Sequence, residues 1–358
     1  MQSPAGPHKG RGATLSPANR FAPHHSEWDD GPAGPSPVTE CRRVEARSII
    51  ARNRSPDVPF GQSINPYQGC EHGCIYCYAR PSHAYLDLSP GLAFETRLTY
   101  KANAAEQLER ELARPGYQCA GITIGANTDP YQPMEKELQI TLQLLETMLR
   151  TRHPVSLITK SALITRDLDL LAELARQNLC SVAVSVTCLD DDLKRRLEPR
   201  AASAQARLTA MAALTDAGVP VTLLYAPVIP ALNDGDMEDI LALAAAAGAR
   251  DAAYILLRLP LEIAELFTDW LRSHYPLRAD HVMSLLRQSR GGRDNDSRFG
   301  HRMRGTGTFA DLLEQRFRVA CKRLALGRRE QPALRTDLFE PPLDPAARCA
   351  GQFDLFTP

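Results

Sequence analysis

Cys70, Cys74 and Cys77 stand close together in the stretch Asn65-Pro-Tyr-Gln-Gly-Cys-Glu-His-Gly-Cys-Ile-Tyr-Cys-Tyr78. Three thiolates at this C-x3-C-x2-C spacing can hold three corners of an iron–sulfur cube and leave its fourth iron without a protein ligand. An iron with an open position can bind and activate a small molecule. Zinc is the rival reading, because three close cysteines with His72 or His83 would make a Cys3His site. Zinc fingers and ribbons usually pair two short knuckles, however, and no second C-x2-C occurs. A disulfide framework fits less well: nine cysteines is an odd number, and Cys41, Cys119, Cys180, Cys188, Cys321 and Cys349 have no regular spacing.

Other residues could do chemistry beside the triplet. Asn127-Thr128-Asp129 offers short polar side chains that cap a helix or accept hydrogen bonds from an ammonium group. Lys160 follows an apolar run and is a solvated cation or an anchor for a carboxylate. Arg200 in Arg196-Leu-Glu-Pro-Arg could clamp a carboxylate with both nitrogens, with Glu198 two residues before it. From Arg287 to Arg304, six arginines and His301 face only Asp294 and Asp296. Within that segment Arg290, Arg293, Arg298 and Arg302 suit phosphate contacts and Phe299 could stack on a base. The bland alternative is a solvated loop paired with nearby acids.

These residues need a frame. The runs 121–125, 154–159, 181–186, 220–225 and 252–257 are short, apolar and rich in β-branched residues. Between them, 136–150, 167–177, 204–217 and 237–247 carry apolar residues at helical spacing. Pro133 and Glu135 mark one helix start, Asp234 another, and Gly218 and Gly248 mark stops. Apolar strands alternating with helices predict a parallel sheet covered by helices. With a first strand leading through Ile64, this makes about six βα units, too few for a closed eight-stranded barrel. The site residues then belong at the strands' C-terminal ends. Helices are predicted over 261–274 and 279–287, and an amphipathic helix over 308–326. Nine of 27 prolines precede residue 60, so 1–57 is predicted to be a largely disordered arm that wraps onto the domain near Val44 to Ile50. A second Pro-rich tail starts near Gly327. The core domain is thus 58–260, a helical extension with the Arg-rich loop 261–326, and a disordered tail 327–358.

The cysteine loop, with aromatic Tyr76 just before the third cysteine, closely resembles the cluster loop of radical S-adenosylmethionine (radical SAM) enzymes. Asn65-Pro-Tyr-Gln-Gly-Cys70, Asn127-Thr-Asp-Pro-Tyr-Gln132 and Ile158-Thr-Lys-Ser161 are most similar to the spore photoproduct lyase-related, DNA repair photolyase-like group. The resemblance implies an open partial TIM barrel, a 4Fe-4S cluster on the three cysteines and S-adenosylmethionine on the free iron. One electron, from a reductant such as flavodoxin or ferredoxin, would split the sulfonium to a deoxyadenosyl radical that takes a hydrogen atom from the substrate. It further implies Tyr76 against the adenine, Thr128 and Asp129 near the amino group, and Lys160 on the carboxylate. Ser185 would point into the same pocket, and the Glu198-x-Arg200 pair resembles a cofactor-binding element. The loop Ala226-Pro-Val-Ile-Pro230 with Asn233-Asp234 resembles the one that contacts adenine. Asn127 stands where the lyases carry a cysteine that returns a hydrogen atom to the product radical. Cys188 or Cys119 would have to take that role. The final Gln352-Phe-Asp-Leu355-Phe356 resembles the peptide by which bacterial repair proteins dock on the sliding clamp.

Composition bounds the partners. Lys and Arg number 42 and so do Asp and Glu, so no global field attracts nucleic acid and any such binding needs a local patch. No apolar run is long enough to span a bilayer and no secretory h-region opens the chain, which predicts a cytoplasmic protein without membrane attachment. The sequence therefore predicts a radical SAM enzyme acting on nucleic acid. The same chemistry on RNA, a peptide or a small molecule is the first alternative, and a zinc-stabilised nucleic-acid-binding module the second.

Overall fold

Strand-forming runs alternating with amphipathic helices build a parallel sheet in the computed structural model, which describes residues 8–21, 38–327 and 333–342. The chain begins β1 (Glu40–Val44), β2 (Ile50–Arg52), β3 (Gln62–Ile64), β4 (Tyr67–Gln68), α1 (Ala93–Thr96), β5 (Arg97–Lys101) and α2 (Ala104–Leu112). It continues β6 (Ile122–Ile124), α3 (Glu135–Leu138), α4 (Ile140–Arg150), β7 (Val155–Thr159), α5 (Leu168–Arg176), β8 (Cys180–Ser185) and α6 (Asp191–Leu197). It closes with α7 (Ala204–Asp216), β9 (Val221–Val228), α8 (Met237–Ala246), β10 (Asp251–Leu256), α9 (Ile263–His274), α10 (Ala279–Gln288) and α11 (Thr308–Leu324).

Six strands run parallel in the order β10-β9-β8-β7-β6-β3, and β2 adds antiparallel outside β3. The outer strands β10 and β2 do not pair, so the barrel stays open. One row of partners, Ile64, Ile124, Leu157, Val182 and Val221, crosses the sheet and is buried throughout. Each such side chain contributes about 1.5–3 kcal/mol by leaving water. A small sheet of β1, β5 and β4 stands apart.

Three expectations change. First, the helix predicted from Lys136 breaks at Gln139, whose φ is 53°. The buried Glu135 carboxylate explains it, accepting from the Thr141 N–H at 3.0 Å and capping α4 from one turn back. Second, much of the predicted disordered arm is folded: β1 and β2 lie in sheets, and residues 8–21 pack on the barrel. There Gly12 and Ala13 donate backbone N–H bonds to the Glu95 carboxylate at 3.0 and 2.9 Å, and the Asn19 amide donates to the Ala84 carbonyl at 3.1 Å. A Pro- and Gly-rich composition says how little core a segment owns, not which partners the domain offers it. Third, residues 333–342 of the expected tail lie along the N-terminal side of the sheet. Arg335 N–H donates to the Asn178 carbonyl and Glu340 N–H to that of Thr151. The expected clamp peptide, Gln352, Leu355 and Phe356, and Cys349 lie outside the described residues.

Candidate active site

A cavity of about 850 Å³ opens at the C-terminal ends of the parallel strands. The cysteine loop after β4 forms one wall, and Cys70, Cys74 and Cys77 all line it. Gly73 lets the loop turn: its φ is +66°, and a Cβ there would meet Glu95 Oε2 at 2.7 Å. Beneath the loop, buried Arg80 donates to the carbonyls of Cys74 at 2.9 Å and Gly73 at 3.2 Å and pairs with Glu95 at 2.5 Å. Cys70 N–H donates to Phe94 O at 3.0 Å and Ile75 N–H to Leu197 O at 3.1 Å, so the loop is held from both sides.

The donor set fits a cluster. Burial pushes all three thiols up, Cys74 to about 12, so as bare thiols they keep their protons at neutral pH. Three thiolates here require a bound cationic centre. Among the described residues no three His, Cys, Asp or Glu side chains converge tightly enough to hold one metal ion. A cube spreads its thiolates over three irons and needs no such convergence.

Opposite the loop, strand ends supply the polar lining. Asp129 is buried; its carboxylate accepts from the Lys160 N–H at 2.8 Å and the Thr159 hydroxyl at 2.7 Å, and lies 3.4 Å from His72. Burial opposes its charge, but His72 and these bonds outweigh burial and hold the carboxyl down at about 2. Thr128 donates its hydroxyl to the Tyr67 carbonyl at 2.8 Å. Lys160 reaches over the Tyr76 ring, 5.7 Å from its centre, with its ammonium 3.9 Å from Glu198. Ser185 lines the cavity at the end of β8.

Glu198 and Arg200 have different partners. Glu198 is fully buried behind the cavity wall, where it binds Arg207, Thr187 and the Tyr76 hydroxyl. Burial works against its charge, yet Arg207 and Lys160 hold the carboxyl well below the usual range. Arg200 points outward instead and pairs with Glu71 at 3.1 Å. The buried arginine that meets Glu198 comes from α7, nine residues on, and no local signal marks it.

The two candidate hydrogen donors, Cys188 and Cys119, are both absent from the lining; Cys188 is buried, its thiol facing Asp190 O. The Arg-rich loop also differs from expectation. Arg290 is buried and donates to the carbonyls of Leu256, Leu257, His301 and Arg302, so it ties the loop to β10 rather than meeting phosphate. Arg298 is paired with Asp296 at 2.7 Å. Arg302 is held by Asp57 and Ser55 but lines the cavity, as does Phe299, while Arg293 is exposed outside it. Sequence reasoning missed Tyr78 and Arg258, which also line the cavity. Arg258 stands two residues past the end of β10, so the strand-end rule that marks Lys160 also points to it.

Comparison with known proteins agrees with this geometry. The model of the radical SAM superfamily matches residues 64–244, and the chain belongs to that superfamily. It is an enzyme of that class, whose members use S-adenosylmethionine and a 4Fe-4S cluster. An uncharacterized protein of Mycobacterium tuberculosis is 37% identical over 243 residues, 66% of this chain and 72% of the relative. One from Methanocaldococcus jannaschii is 26% identical over 195 residues, 54% and 70% of the two chains. In structure, spore photoproduct lyase complexed with dinucleoside spore photoproduct matches with a TM-score of 0.56 at 15% identity, over 79% of each chain, a likeness of fold. Among the described residues no helix is long and apolar enough to cross a membrane.

Proposed function

We propose that this chain is a radical SAM enzyme that removes a hydrogen atom from nucleic acid, with Cys70, Cys74 and Cys77 holding the cluster. The observation that carries the reading is a single open cavity joining the three thiols to a ring- and cation-lined outer half. A cluster held by Cys70, Cys74 and Cys77 would supply the electron for reductive cleavage of S-adenosylmethionine, the chemistry that would drive hydrogen abstraction. The chain's own residues position and exclude. Lys160 offers its ammonium to the methionyl carboxylate. Burial counts against that charge, but Glu198 behind it holds the pKa above the ordinary lysine value, so the ammonium keeps its proton. Asp129 fixes the β7 end that presents Lys160, and Tyr76, anchored through its hydroxyl, turns its ring to the adenine. Ser185 and Thr128 complete the wall. The structural neighbour, a spore photoproduct lyase complexed with a dinucleoside spore photoproduct, supports the nucleic-acid reading. Among the described residues the cavity holds no cysteine beyond the triplet, which supports a radical fate different from hydrogen return by a thiol.

Anaerobic incubation of reduced protein with S-adenosylmethionine and lesion-bearing oligonucleotides tests the proposal. Deoxyadenosine should appear together with a mass change in the DNA. Deoxyadenosine with unchanged DNA across lesions would remove the nucleic-acid substrate, and absence of both would remove the activity.

A further inference from the structure

Four cations line the cavity, Arg54, Lys160, Arg258 and Arg302, against one carboxylate, Asp129. Lys160 and Asp129 serve the inner half, and Arg302 is already neutralised by Asp57. Arg258 is different. It forms no ion pair with any described residue, and its Nε is buried without an acceptor. Its guanidinium has only the Met303 sulfur at 3.7 Å and the Tyr78 ring at 5.9 Å. Burial and then the neighbouring Arg302 pull its pKa down and outweigh Tyr78 and Asp57, so an incoming anion would relieve a charge the fold compensates only in part. Two aromatic rings stand exposed beside these cations: Tyr78 at 51% and Phe299 at 57%. Arg302 lies 4.7 Å from the Phe299 ring centre. The outer half therefore repeats one motif, an exposed ring with a guanidinium beside it.

We infer that Arg258 is the phosphate anchor of a single-stranded nucleic-acid subsite in the outer half of the cavity, with Tyr78 and Phe299 as its base-stacking surfaces. An exposed ring beside an unpaired guanidinium, with a second exposed ring in the same cavity half, suits the bases and phosphate of a nucleotide strand. Acidic side chains of a peptide would satisfy the cations and leave both rings without a flat partner. A duplex cannot present its bases to rings inside a cavity unless the target is unpaired or flipped out. This inference rests on the nucleic-acid reading above and deepens it: recognition belongs to the cavity, to which the Arg-rich loop contributes Phe299 and Arg302, while its Arg290 and Arg298 are committed within the fold.

The test uses full-length, anaerobically reconstituted protein and fluorescence anisotropy with a labelled oligothymidylate of about ten residues. Arg258→Gln should weaken binding roughly ten- to a hundredfold, the loss of one charge-assisted bond. It should also reduce the salt dependence by about 0.7, one single-strand phosphate contact. Arg258→Lys should restore part of the affinity, and Phe299→Ala should weaken oligothymidylate more than a base-free strand of equal length. Iron content and S-adenosylmethionine affinity should stay unchanged in all three. Wild-type binding with an unaltered Arg258→Gln affinity and slope overturns the subsite while leaving the nucleic-acid reading intact. Failure of wild type to bind the strand, with Arg258-dependent binding of a polyglutamate peptide, overturns both.

Discussion

Glu198→Gln isolates the charge that supports the cofactor side of the cavity. Glu198 is fully buried against Arg207, also buried, with the Lys160 ammonium 3.9 Å away and the Thr187 hydroxyl donating at 2.7 Å. Removing one partner of a buried pair costs about 3–5 kcal/mol, because the other charge is left uncompensated. Glutamine keeps the shape and an oxygen for Arg207, which places Glu198→Gln near 3 kcal/mol. Alanine also loses the bonds from Thr187 and Tyr76, about 1 kcal/mol each, and should fall near 5 kcal/mol. The sign with pH follows from the depressed carboxyl. Burial alone would raise its pKa, but Arg207 and Lys160 outweigh burial and hold it well below the ordinary 4.5. The charge therefore stabilises fully above the unfolded value and is lost as pH falls toward the folded one. The assay is anaerobic urea unfolding of holoprotein, read by fluorescence and by cluster absorbance, at about pH 7 and about pH 4. The gap between wild type and Glu198→Gln should be largest at neutral pH and narrow in acid. A gap below about 1 kcal/mol, or one independent of pH across that range, would refute the argument that this ion pair supports the wall.

Alanine at Cys70, Cys74 or Cys77 should abolish both cluster retention, read as iron and sulfide per chain, and S-adenosylmethionine cleavage. Alanine at Cys41 or Cys321 should leave both intact. Lys160→Ala should keep the cluster and lower S-adenosylmethionine affinity roughly ten- to a hundredfold by equilibrium binding, the cost of a charge-assisted bond. Arg200→Ala should leave that affinity nearly unchanged, since the side chain faces Glu71 outside the cavity; an equal loss in both variants would return Arg200 to the site. Gly73→Ala places a methyl group 2.7 Å from Glu95 Oε2 at a φ of +66°. It should cost more than about 1 kcal/mol and reduce cluster occupancy; a fully loaded variant of normal stability would show that the loop tolerates rearrangement.

What the sequence made legible follows the range of each signal. The five runs between 121 and 257 and the helices between them are local patterns of burial, and all correspond to elements of the sheet and its cover. The triplet is legible because all three cysteines stand in one loop. Glu198 was noticed, but its partner Arg207 was not, because a buried ion pair is made by tertiary packing and leaves no spacing to read. Arg200 looked like a partner only because it is near in sequence. Arg290 misleads in a similar way: a Gly-rich arginine cluster reads as a phosphate patch, yet this buried arginine spends its donors on four backbone carbonyls. Arg258 is legible by its place just past a strand end, a signal weaker than the cluster of charges that follows it.

The folded N-terminal segment changes how the cysteine loop must be understood. Arg80 holds the Cys74 and Gly73 carbonyls, and its buried charge is paired with the Glu95 carboxylate. Glu95 in turn has lone pairs left over, and the Gly12 and Ala13 N–H groups take them. Gly12 must be glycine there, because a Cβ would sit 1.8 Å from the Gly73 carbonyl oxygen. Thr14 then ties the same segment to Asp269 on α9 at 2.6 Å. The loop that carries the three thiols is thus clamped through one continuous polar chain by a segment that precedes the barrel and a helix that follows it. The proposed role of the three thiols gives this loop reason to be held from outside its own sheet, and the charges that do so, Arg80 and Glu95, are absent from the cavity lining and leave that face open.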